Sequence, residues 1–116
     1  MNITSVEITY DTLFYKETHW SNIEFKINDL HTFGATYPYD QTIYLIPLLN
    51  NILKDRNVCI DFDESTGVAF LKTTKNIVHF YLRSDRENDG IADINIFFEN
   101  NQIFKDAIQG LIEKIS

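Results

Sequence analysis

Apolar and polar residues alternate along this chain in six short runs, the period-two pattern of half-buried strands. Val6, Ile8 and Tyr10 alternate with Glu7, Thr9 and Asp11, and Ile23, Phe25 and Ile27 with Glu24, Lys26 and Asn28. Val58, Ile60 and Phe62 alternate with Cys59, Asp61 and Asp63, and Val68 and Phe70 precede Lys72. Val78, Phe80 and Leu82 alternate with His79, Tyr81 and Arg83, and Ala92, Ile94, Ile96 and Phe98 with Asp93, Asn95 and Phe97. Such runs predict a largely antiparallel sheet covered on one side only. Glu64–Gly67 and Thr74–Asn76 are short enough to close hairpins. Phe33–Asp40 reads as the longest irregular stretch.

The period changes in two segments. Ile103, Phe104, Ala107, Ile108, Leu111, Ile112 and Ile115 recur at helical spacing, which predicts a helix over Gln102–Ile115 with Asn100 or Asn101 as its N-cap. Gly110 inside it costs about 1 kcal/mol relative to alanine, less than the roughly 1.5–3 kcal/mol from burying one Leu or Ile. A second helix is expected within Gln41–Asp55, with Ile46, Leu49, Ile52 and Leu53 inward. Pro47 leaves two options there, because proline is tolerated in a first turn but not deep inside a helix. Either the helix begins near Tyr44–Ile46 with Thr42–Ile43 extended, or it is longer and kinked. The order is ββαββββα: one α+β domain over residues 1–116, with a sheet of about six strands and two helices on one face. The face left open should carry Glu7, Thr9, Glu24, Lys26, Cys59, Asp61, Asp63, His79, Tyr81, Arg83, Asp93, Asn95 and Phe97.

Composition narrows the function classes. The 116 residues are 44% hydrophobic and 14% aromatic, enough to build one core. Seventeen acidic against ten basic residues give a net charge of −7. That balance disfavours nucleic acid and anionic membrane as direct partners, since both are held by clustered Lys and Arg. It favours a basic protein, which opposite charge steers into contact. The single cysteine, Cys59, permits no internal disulfide and fits a reducing compartment. The start, MNITSVEITYD, lacks the basic and apolar regions of a secretion signal, and no apolar run approaches the roughly 20 residues of a membrane helix. The expectation is a cytoplasmic protein.

The carboxylates concentrate in two places: Asp61, Asp63 and Glu64 at one strand end, and Asp85, Glu87, Asp89, Asp93 and Glu99 around a later strand connection. Asp85–Gly90 resembles the start of a calcium loop, with carboxylates at positions one, three and five and glycine at six. Ile96 stands where the bidentate glutamate is needed, and the flanks read as strands, so no metal site is expected. His19, His31 and His79 match no zinc spacing. A hydrolase-type pair of His79 with Asp61 or Asp93 is the enzymatic alternative, since histidine titrates near neutrality. Cys59 has two aspartates nearby, which disfavour a thiolate nucleophile. There is no glycine-rich phosphate loop, no GxSxG and no HExxH, so no catalytic site or cofactor is expected. Trp20, Tyr37, Tyr39, Tyr81 and Phe97 fall in loops or on the open face, where aromatics serve as binding anchors.

In general character the chain resembles the small acidic immunity proteins of bacterial contact-dependent growth inhibition and polymorphic toxin systems. It is short, single-domain, acidic and α+β, with an open sheet face and no catalytic motif. The resemblance implies a cytoplasmic, non-enzymatic protein that binds and neutralises one cognate toxin, often a nuclease with a basic surface. Charge complementarity would speed association and enforce specificity. The expected contacts are Asp61, Asp63, Glu64, Asp85, Glu87, Asp89 and Asp93, with Tyr81 and Arg83 as supporting anchors. A related alternative is an acidic mimic of nucleic acid that blocks a nuclease.

Overall fold

Among the described residues, seven strands form two antiparallel meanders, each followed by a helical segment. The computed structural model describes residues 1–62, 67–86 and 90–116. The first sheet has the order β1 (Val6–Tyr15), β2 (Thr18–Ile27), β3 (His31–Pro38). A 3-10 helix (Tyr39–Tyr44) and α1 (Leu45–Leu53) lead to the second sheet, β4 (Val58–Asp61), β5 (Val68–Thr73), β6 (Ile77–Arg86) and β7 (Gly90–Glu99), and α2 (Gln102–Ile115) closes the chain.

The α+β class and the two helices agree with the sequence, but the single sheet of six strands does not. The segment read as irregular supplies a strand of its own, β3, in which Phe33, Ala35 and Tyr37 share a face. Its Thr, Gly, Ala and Pro residues dilute the alternation that marks the other strands. Among the described residues no ladder joins β3 to β4, so the strands divide into two sheets.

The two sheets and both helices share one core. Phe80 of β6 is fully buried among Phe25 and Phe33 of the first sheet and Phe98 of β7. Phe33 stacks on it with ring centroids 4.7 Å apart. Leu45, Leu49 and Ile52 of α1 and Phe104, Ile108 and Leu111 of α2 complete that core. Removing one such ring costs about 3–5 kcal/mol through lost transfer energy and the cavity left behind.

Local chemistry sets the element ends. Asn101 caps α2, its Oδ1 accepting from the Phe104 amide at 3.2 Å. Pro47 sits in the first turn of α1, where its missing N–H is no loss, so the shorter of the two expected helices forms; Thr42–Ile43 is 3-10 and not extended. Asp55 ends α1 with φ 58°, while the Arg56 amide donates to Asn51 O and the Asp55 amide to Ile52 O. This is a Schellman motif with aspartate in the left-handed position that glycine usually fills. Lys105 of α2 forms an ion pair with Asp55, tying that end to the second helix.

Gly67 is required by both conformation and space. Its φ is +130°, and a Cβ there would stand 2.8 Å from the Gly34 carbonyl oxygen of β3. The start of β5 thus presses on the backbone of the other sheet.

Candidate functional site

The outer face of the second sheet receives the predicted anchors. In cross-strand register, Asp61 stands beside Phe70, Phe70 beside Tyr81 and Tyr81 beside Asn95. The next row is Cys59, Lys72, His79 and Phe97. Arg83 is directly opposite Asp93. Asp63, Glu64, Glu87 and Asp89 lie outside the described residues, as does the core of the calcium-like loop. Asp85 belongs to β6, opposite Ile91.

A bulge builds this face. Val68 pairs with Leu82 but Phe70 pairs with Tyr81, so β5 carries one extra residue, the buried Ala69. The slip leaves Val68 inward and turns Phe70 outward, whereas the sequence pattern sets both on the apolar side. Without the bulge Phe70 would be core.

The rings then form a ladder. Phe70 stacks on Tyr81 with centroids 4.6 Å apart and meets His79 edge-on at 5.4 Å. His79 in turn stacks on Phe97 at 4.2 Å. The Lys72 ammonium lies 4.7 Å from the Phe70 centroid, a cation–π contact. The Tyr81 hydroxyl donates to Asp93 Oδ1 at 2.5 Å, and His79 Nε2 lies 2.8 Å from Asn95 Oδ1. Phe97 remains 52% exposed, unusual for a ring of its size.

Asp61 and Asp93 do not gather. β4 and β7 are opposite edges of the sheet, so Asp61 and Asp93 are separated by three strand spacings, roughly 14 Å. Lys72 and Arg83 stand between and beside them. The described part of the face is therefore an aromatic band with a carboxylate at each edge and cations interleaved, not a continuous acidic patch. The sequence placed His79 on this face without naming it as a contact, offered Phe97 only as one of several candidate aromatic anchors, and missed Phe70; only the bulge would have shown it.

His79 is paired with neither candidate carboxylate. Asp93 accepts from Tyr81, and Asp61 lies two strands away. Two strand spacings are roughly 10 Å, beyond the reach of direct proton transfer. Partial burial pushes the Cys59 thiol pKa up, and the Asp61 carboxylate raises it further against the opposing pull of Lys72. The thiol is therefore a poor nucleophile. Among the described residues, no group of three His, Cys, Asp or Glu side chains is arranged to hold a metal ion. No described helix is long and apolar enough to cross a membrane.

No family model, curated protein or solved structure matches this chain.

Proposed function

We propose that this chain is a non-enzymatic binding protein that neutralises a basic protein partner, in the manner of an immunity protein and its toxin. The observation that carries the reading is the half-exposed ladder of Phe70, Tyr81, His79 and Phe97 on an uncovered sheet face, flanked by Asp61 and Asp93. Interfaces are built this way, with aromatic anchors at the centre and polar groups at the rim. The rigid ladder also loses little entropy when a partner covers it. The net charge of −7 selects for a basic partner, and a nuclease toxin, which needs basic side chains to hold phosphate, fits.

The enzymatic alternative draws no support from His79, whose hydrogen-bond partner is Asn95. A nucleic-acid mimic would need a run of carboxylates, and Asp61 and Asp93 instead stand at opposite edges of the sheet with rings between them.

The test is co-purification with the basic C-terminal domain of a toxin encoded beside this chain. The wild-type protein should bind it and block its activity. The triple substitution Asp61→Lys, Asp63→Lys and Asp93→Lys should slow association and flatten its salt dependence. Unchanged association rate and salt dependence would remove the acids from the interface.

A further inference from the structure

At the far end of the first sheet the chain exposes a second aromatic surface. Among the described residues, twelve large apolar side chains are well exposed, and six of them sit here: Leu13, Phe14, Tyr15, Tyr39, Ile43 and Tyr44. Half of those exposed apolar residues thus fall on two short segments. β3 stops pairing with β2 at Trp20, so the remainder of the β1–β2 hairpin extends past it as a two-stranded ribbon. Such a ribbon is marginal in isolation and gains nothing in the fold by carrying bare rings.

The two segments form one surface. The Phe14 and His19 rings are 4.8 Å apart, and His19 and Tyr39 6.1 Å, which joins the hairpin to the 3-10 helix. Between them is a depression lined by Glu17, Thr18, His19, Tyr39 and Asp40. Its two charged residues are both carboxylates. Lys16, beside Glu17 in the chain, has its ammonium over the Tyr15 ring instead.

We infer that this depression receives an arginine side chain of a protein partner. A guanidinium pairs with carboxylates through a planar fork of donors and stacks on aromatic faces, and this surface offers both. Lysine, a compact and strongly hydrated charge, uses the rings less well. The inference rests on the reading of a basic partner and adds a second point of contact, remote from the ladder.

Arginine amide, with uncharged citrulline amide as control, tests it without any toxin. Titrated into the labelled protein and followed by NMR, arginine amide should give saturable shifts of the His19 and Tyr39 ring signals in the millimolar range, and citrulline amide none. Glu17→Gln and Asp40→Asn should each weaken this about two- to fivefold, as expected for partly exposed ion pairs. Their spectra elsewhere should be unchanged, and Asp61→Asn should have no effect. Non-saturating shifts, equal shifts with citrulline amide, or a response equally strong around Asp61 and Asp93 would overturn the inference. Failure here with toxin binding intact removes only this contact. Success here with no toxin binding removes the immunity reading and leaves the arginine site.

Discussion

The ring of His79 lies nearly parallel to that of Phe97, 16° between planes and 4.2 Å between centroids. The two residues are direct cross-strand partners on β6 and β7, where side chains on one face approach most closely. This stack fixes His79 as part of a surface and leaves its Nε2 to Asn95.

Phe97→Ala therefore separates surface from core. Phe97 is half exposed, so its loss should cost folding only about 0.5–1.5 kcal/mol, the worth of an aromatic pair. Phe80→Ala, on the buried side of the same sheet, should cost about 3–5 kcal/mol. Denaturant unfolding of the two variants checks the contrast.

The N-terminal segment hangs on Asn28. Its Oδ1 accepts from the Thr4 amide at 2.7 Å, its Nδ2 donates to Asn2 O at 2.8 Å, and its φ is 58°. These bonds hold the fully buried Ile3 in place. Asn28→Ala should destabilise the fold by about 2–3 kcal/mol, losing both the hydrogen bonds and a residue tolerant of that backbone. Asn28→Gly restores only the conformational part, so it should be more stable than Asn28→Ala by about 1 kcal/mol. Thermal unfolding of the pair measures the difference.

Gly110 lies within α2, and a Cβ there would meet nothing within 4 Å. Gly110→Ala should stabilise the protein by about 1 kcal/mol, read as a melting temperature raised by a few degrees.

Cys59 is exposed, yet its thiol holds its proton above the pH at which an ordinary cysteine releases it. Just above neutrality the folded protein should therefore react with iodoacetamide more slowly than the unfolded chain. Asp61→Asn removes a carboxylate that disfavours the thiolate, so it should accelerate alkylation. The sign for stability follows: the folded state binds this proton more tightly, so the contribution is present below the unfolded thiol's pKa and fades as pH rises through the folded one.

Much of this was legible in the residues, for identifiable reasons. The α2 stripe from Ile103 to Ile115 and its Asn101 cap are local signals, and so is the alternation of β6 that turns Tyr81 and Arg83 outward. What was hidden depends on the whole fold. β3 was hard to read because Gly34 and Ala35 are weak strand formers and Pro38 follows, although Phe33, Ala35 and Tyr37 do alternate, and the division into two sheets is a matter of which strands pair. The outward turn of Phe70 comes from one extra residue at Ala69, which no periodicity announces. The separation of Asp61 from Asp93 is a matter of strand order, which alternation within each strand does not reveal.

The affinity of the Phe70→Ala, Phe97→Ala double variant for the basic partner domain proposed above tests the central claim most directly. With folding confirmed by an unchanged circular dichroism spectrum, calorimetry should show binding weakened by about thirtyfold or more, as for the loss of central anchors. Affinity equal to wild type would contradict the account by showing that the ladder is not where the partner binds.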